Sequence, residues 1–119
     1  MPNGADIKDQ FKPIAEHDVE MTAGLDFYWR GETYFIEKRI SDAKIRGSEI
    51  TARCEGSAGG PYLVHATLSP ADDPIAPSLG PCSCDCPREG FCKHIVALLL
   101  TWVNTPERFV VESEAGATA

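Results

Sequence analysis

No hydrophobic run in this sequence approaches the ~20 residues needed to cross a bilayer. The longest uninterrupted apolar stretch is residues 95–100, and the opening MPNGADIKDQ has no hydrophobic signal region. Membrane insertion and secretion are therefore not expected, and the reading is an intracellular protein, cytoplasmic if prokaryotic. Positive charge is also short. Eleven Lys and Arg stand against eighteen Asp and Glu, and the formal charge of -7 opposes simple electrostatic capture of a polyanion. An even complement of cysteines is missing too: there are five, four of them crowded between positions 82 and 92. That fits a secreted disulfide framework poorly and a metal site in a reducing compartment well. No nucleophile–base pair, phosphate loop or carboxylate constellation is visible, so the chain reads as a non-enzyme with no small-molecule substrate.

What is present suffices for one core. The chain has 119 residues, 43% of them apolar, which suits one domain of ordinary size and not two. Residues 1–26 read as an acidic N-terminal arm, with a short helix possible near Ile7 and Pro13 interrupting any longer one. From residue 27 to 68 apolar residues recur at period two: Tyr34, Ile36 and Ile40, then Ile50, Ala52 and Cys54, then Tyr62, Val64, Ala66 and Leu68. Three strands follow from this, joined by turns at Arg46-Gly47-Ser48 and in the GSAGGP segment of residues 56–61. The proline-rich stretch 69–81 reads as a loop. Beyond it, Ile95, Leu98, Leu99 and Trp102 mark a helix, with Val96, Leu100 and Val103 adding apolar groups outside that stripe. Such a helix must be covered on more than one side, by the sheet and the N-terminal arm or by another molecule. Asn104 and Pro106 end it, and residues 113–119 read as a flexible tail.

The informative segment runs Cys82-Ser83-Cys84-Asp85-Cys86-Pro87-Arg88-Glu89-Gly90-Phe91-Cys92-Lys93-His94. Three cysteines and a histidine form an ordinary structural zinc set. A Cys-x-Cys pair cannot chelate from a flat strand, where alternate side chains share a face but lie too far apart, so the backbone must curl at the site. Cys92 should precede the helix and His94 should sit in its first turn, which brings thiolates to a helix N-terminus that favours negative charge. Cys54, on the Ile50/Ala52 face, reads as a core thiol. His65 and His17 read as surface imidazoles.

The Cys-Ser-Cys pair, a spacer containing Gly, and Cys-Lys-His followed by an aliphatic run resemble the SWIM zinc finger, whose pattern is C-x-C, a variable spacer, then C-x-H. Upstream, Arg30-Gly31-Glu32-Thr33-Tyr34, Ile50-Thr51-Ala52-Arg53 and Pro61-Tyr62 are similar to the strands before the finger in prokaryotic members. The resemblance implies an α+β module of the ββα type, with a small antiparallel sheet of about three strands, a zinc knuckle and one C-terminal helix, over residues 27–112. It also implies one Zn2+ held by Cys82, Cys84, Cys92 and His94. Cys84-Asp85-Cys86 satisfies C-x-C as well, so Cys86 in place of Cys82 is an open alternative, and Cys84 belongs to both schemes. Two other readings of the cluster are an iron–sulfur site on Cys82, Cys84, Cys86 and Cys92, and a redox sensor with Cys86 as the spare thiol.

Structural zinc in finger peptides is worth ~10–16 kcal/mol at neutral pH, comparable with the whole ~5–15 kcal/mol stability of a domain, so the metal is expected to decide whether the C-terminal half folds. For function, the resemblance implies DNA transactions as a setting, with proteins or DNA as ligands. An adaptor would present a sheet face or the apolar helix to a protein partner. A direct DNA-binding domain would use Arg30, Lys38, Arg39, Lys44, Arg46 and Arg53, with Tyr28 or Trp29 stacking on bases. Lys93 and Arg88 read as charges that screen the zinc centre.

Overall fold

The computed structural model describes residues 3–56, 61–86 and 92–112. Alternation of apolar and polar residues sets the central sheet. Ile50, Ala52 and Cys54 on β2 (Glu49–Cys54) and Val64, Ala66 and Leu68 on β3 (Tyr62–Leu68) face inward and are fully buried, while Arg53, Leu63 and His65 point outward. On β1 (Ile40–Arg46) the alternation breaks. Ile40 and Ala43 both face the core because a bulge lies between Ser41 and Lys44, with Asp42 at φ 53. Gly47, at φ 61, supplies the positive-φ position of the tight β1–β2 turn. The GSAGGP connection falls partly outside the described residues.

The sheet has five strands where about three were expected: β4 (Leu79–Cys84) and β5 (Val110–Glu112) extend it to the order β4-β3-β2-β1-β5. One addition, β4, is antiparallel to β3 and carries the chain through part of the stretch expected to be a loop. Its Pro81 is tolerated because β4 is an edge strand and needs no complete hydrogen-bond ladder. The other, β5, is a short parallel partner of β1 that follows a single 3-10 turn at Pro106–Arg108.

The segment expected to begin the sheet is helical. Between α2 (Glu16–Ala23) and β1 the chain forms α3 (Leu25–Ile36), so Tyr34 and Ile36 share no strand face with Ile40. Tyr28, Gly31 and Tyr34, three residues apart, make its buried side, and Ile36 lies on the exposed side. Gly31 explains why this face can pack closely: a Cβ there would fall 2.3 Å from that of Val96 on α4 (Lys93–Asn104) and 2.7 Å from the Lys93 carbonyl oxygen. Lys38, at φ 57, then turns the chain into β1.

Helix α4 is the centre of the molecule. Every residue from His94 to Trp102 is buried, with α3 and α2 on one side and the sheet on the other. Burial of this degree meets the expectation of cover on more than one side, and removes α4 as a surface that could be offered to a partner. The segment expected to be an N-terminal arm supplies part of the cover. Gly4, at the start of α1 (Gly4–Ile7), donates its amide to the Phe109 carbonyl at 2.8 Å. Phe11, Ile14 and Val19 enter the core, and Trp102 is held edge-on between Phe11 and Phe109, with ring centroids 6.5 and 5.2 Å away. Among the described residues no helix is long and apolar enough to cross a membrane. Residues 113–119, expected to be a tail, lie outside the described residues.

Candidate metal centre

Two chain segments of different geometry meet at the cysteine cluster. β4 ends at Cys84, the chain bends at Cys86, and Cys92 then occupies the N-cap of α4 in extended conformation (φ -124, ψ 173), with His94 in the first helical turn. The helix start is as the spacing predicts. His94 Nδ1 lies 3.6 Å from Cys92 Sγ and 3.7 Å from Cys84 Sγ, and the sulfurs of Cys86 and Cys92 are 3.9 Å apart. All four donor atoms fall within 4.8 Å of one another. A zinc ion bound tetrahedrally at ~2.3 Å to sulfur and ~2.0 Å to nitrogen gives edges of about 3.8 Å between sulfurs and about 3.5 Å between sulfur and nitrogen. The separations of 3.6, 3.7 and 3.9 Å match those edges and the others stay within 4.8 Å, so the chemistry and the spacing of the donor set both fit one zinc ion.

The set assembled is Cys84, Cys86, Cys92 and His94, which is the alternative and not the preferred combination. Cys82 pairs with Ala66 in the β3–β4 ladder and turns its thiol to the Gly80 carbonyl oxygen at 3.4 Å. The reason is the flat-strand argument itself. Cys82 and Cys84 lie two apart on a regular strand, where alternate residues are separated by nearly 7 Å along the chain, whereas Cys84 and Cys86 straddle the strand end and the bend that follows it. This geometry also removes the iron–sulfur reading, since Cys82 is outside the cluster and His94 is inside it. The thiol left over for any redox role is Cys82, not Cys86. A sequence signal for the end of β4 was present in Asp85, whose carboxylate accepts the Leu63 amide at 2.8 Å while its own amide bonds the Leu63 carbonyl.

Burial tunes the donors. It holds the Cys84 and Cys92 thiols above the ordinary range, offset in part by the amide of Cys86 for Cys84 and by the amides of Ile95 and His94 for Cys92. Burial first, then the Lys93 charge, holds the His94 imidazole below its usual value, which keeps it neutral and able to donate to a metal. The ring itself is fixed by two aromatics, with Tyr62 at 4.9 Å and Tyr34 at 5.6 Å between centroids. Tyr62 was visible in the sequence only as a strand residue, and Tyr34 was concealed by the mistaken strand.

Three thiolates against one divalent ion leave a charge of about -1. Beside the donors is a cavity of about 250 Å3 whose lining includes Arg30, Lys93, Phe27 and Tyr62, and Lys93 Nζ stands 5.1 Å over the Tyr34 ring. Lys93, whose charge acts on His94, therefore places positive charge where it offsets the centre, while Arg30 lines the same cavity but is paired with Asp26. Arg88, expected to share this role, lies outside the described residues. Cys54 is fully buried with its pKa pushed up to about 12, as a core thiol should be. His17 is exposed, and His65 sits half-buried on the outer sheet face, 3.5 Å from Glu49.

The six basic residues considered for nucleic acid do not form one surface. Lys44, Arg46 and Arg53 are on the outer sheet face, Arg30 is on α3, and Lys38 and Arg39 are in the turn after it. Four of them have acidic partners: Arg30 with Asp26, Arg39 with Glu37, Lys44 with Asp42 and Glu112, and Arg53 with Asp42. Arg39 also covers the Tyr34 ring at 4.5 Å. Among the described residues Lys38 and Arg46 have no ion pair.

A Cys₃His centre that ties the end of an edge strand to the start of a buried helix defines a zinc-binding structural module of the α+β class. Residues 62–102, from β3 through most of α4, match the family model of the SWIM zinc finger. No curated protein and no solved structure matches the chain. Helices α1 to α3 and strands β1 and β2 lie outside the matched segment.

Proposed function

We propose that this protein is a non-enzymatic adaptor for a protein partner in a DNA-related process, with zinc as the clamp that keeps its scaffold folded. The observation that carries this reading is the donor set: four protein donors gathered within 4.8 Å of one another can fill a tetrahedral zinc site, which leaves no position for a metal-bound water or substrate. A structural metal then implies that activity resides in a surface. With α4 buried, the surface on offer is the outer sheet face or the outer side of the helical layer, where large apolar residues are exposed.

Direct DNA binding is the second reading, supported by the outward-facing Lys44, Arg46 and Arg53. Acidic partners on Lys44 and Arg53, together with the -7 net charge, weigh against it. One experiment separates the two. The zinc-loaded chain, immobilised and exposed to nuclease-treated extract of its own cells, should retain a discrete protein, and chelation should release it. The same chain should give no salt-sensitive shift of duplex or single-stranded DNA at low micromolar protein. A DNA shift that declines steeply with salt and is weakened by Arg46→Glu would overturn the adaptor reading.

A further inference from the structure

The outer side of α3 carries an apolar ridge that nothing in the zinc finger requires. Leu25, Trp29 and Ile36 are 54%, 63% and 67% exposed, although each would be at home in a core. At about 100° per residue these three positions fall within roughly 40° of one another, so they form a single line about 16 Å long on the helix. Their side faces away from Tyr28, Gly31 and Tyr34, which pack inward, so the ridge is not an edge of the core. Single exposed apolar residues are ordinary; three in register along one helix are not.

The ridge has an acidic border. Glu32 lies on one side of the line and Asp26 and Glu37 on the other, by the same helical spacing. On the Glu32 side, Glu16 Oε2 is 3.4 Å from the Tyr28 hydroxyl, Glu20 follows Glu16 by one turn of α2, and Glu32 follows Tyr28 by one turn of α3; after burial, these carboxylates help to raise the pKa of that hydroxyl. Across residues 16–37 there are six carboxylates and one guanidinium, and that guanidinium, Arg30, is 3.4 Å from Asp26. Lys38 and Arg39 follow at the far end, with Arg39 held by Glu37.

We infer that the α2–α3 face is a docking site for a basic amphipathic helix of a partner protein, whose apolar side covers Leu25, Trp29 and Ile36 and whose Lys or Arg residues meet Glu16, Glu20 and Glu32. Charge decides among the possible occupants. A second copy of this chain would bring the same carboxylates face to face, and an anionic lipid surface would be repelled. A ridge three turns long suits a helix laid along it, with anchors at helical spacing. This inference rests on the adaptor reading and names the partner class and the surface.

The test uses the zinc-loaded full chain and a designed Leu/Lys peptide patterned as an amphipathic helix. A Leu/Glu peptide of the same pattern and a Leu/Lys peptide of scrambled order serve as comparisons. The Leu/Lys helix should bind and shift the emission of Trp29 to shorter wavelength, and the shift should vanish in Trp29→Phe. Leu25→Ser with Ile36→Ser, and separately Glu20→Lys with Glu32→Lys, should each weaken binding at least ~10-fold while zinc content and circular dichroism stay unchanged. Arg46→Glu, on the sheet face, should leave it as it is. Equal binding of the Leu/Glu or scrambled peptide, or undiminished binding by both double variants, overturns the inference. So does a dimer at micromolar concentration that Ile36→Ser dissociates. If a cellular partner is retained equally by Leu25→Ser with Ile36→Ser, the adaptor reading stands and this surface is the wrong one. If no partner is retained although the peptide binds as described, the adaptor reading fails while the basic-helix site remains.

Discussion

Cys86 Sγ lies 3.9 Å from Cys92 Sγ, although six positions of chain separate the two residues. That closeness comes from the bend after β4, and it is why Cys86 and not Cys82 completes the metal set. Metal analysis of single variants checks it directly. Cys82→Ser should retain about one zinc per chain and fold normally, while Cys86→Ser should lose the metal and, with it, the order of α4. Zinc retained in Cys86→Ser and lost in Cys82→Ser would reverse the assignment.

Zinc loading should weaken as the solution is acidified. Burial keeps the Cys84 and Cys92 thiols protonated at neutral pH in the metal-free chain, and a metal must displace the proton of every thiol it binds. About three protons should therefore be released per zinc bound, which calorimetry in buffers of different ionisation enthalpy reads out. His94, held below its usual range, should join the competition only at lower pH. Proton release near zero would mean that the thiols are not the donors.

A Cβ at Gly31 would fall 2.3 Å from Val96 Cβ and 2.7 Å from the Lys93 carbonyl oxygen, one a side-chain atom next to the backbone and the other backbone itself, so α3 and α4 would have to shift apart. Gly31→Ala gains about 1 kcal/mol of helix propensity, yet overpacking of this kind costs about 1–3 kcal/mol, and the contact distance places it at the upper end. The expected outcome is a lower denaturant midpoint with zinc stoichiometry retained. Higher stability would show that α3 and α4 are further apart than described.

Phe11 ties the N-terminal segment to Trp102. Phe11→Ala should destabilise the chain by about 3–5 kcal/mol, the usual cost of emptying a buried aromatic position. Removal of residues 1–15 should do at least as much, measured by denaturant unfolding of the zinc-loaded form. A truncated chain of undiminished stability would restore the picture of a loose arm.

Cys54 gives an alkaline signature. Its pKa stands at about 12 in the folded chain against an ordinary 9.0, because burial opposes the thiolate. The unfolded chain releases that proton first, so the stabilisation is complete below pH 9 and declines as pH rises toward 12. Cys54→Ala should flatten this slope in unfolding curves taken across that window, while an unchanged slope would place the titration elsewhere.

Much of this was legible in the sequence where one periodicity dominates. Ile50, Ala52 and Cys54 alternate cleanly and form a strand; Ile95, Leu98, Leu99 and Trp102 recur at helical spacing and form α4. The placement of Cys92 and His94 at the helix start followed from chelation geometry alone. Tyr34, Ile36 and Ile40 misled because two adjacent alternations in a helix end resemble a strand, and only the packing of Gly31 on Val96 distinguishes them. The choice between Cys82 and Cys86 depended on how far β4 runs. That length is set by pairing with β3, a long-range property that Pro81 concealed. The parallel strand β5 was missed for the same reason, since three residues carry no periodicity of their own.

Because α4 is enclosed on all sides, the finger cannot be lifted out as a portable cassette. Residues 62–102 grafted alone into another host would bring a helix whose flanks, normally sheathed by α2, α3 and Phe11, face water. Metal alone does not compensate for so large a bare apolar surface, so any shortened version must carry its own substitute sheath or be prone to aggregation.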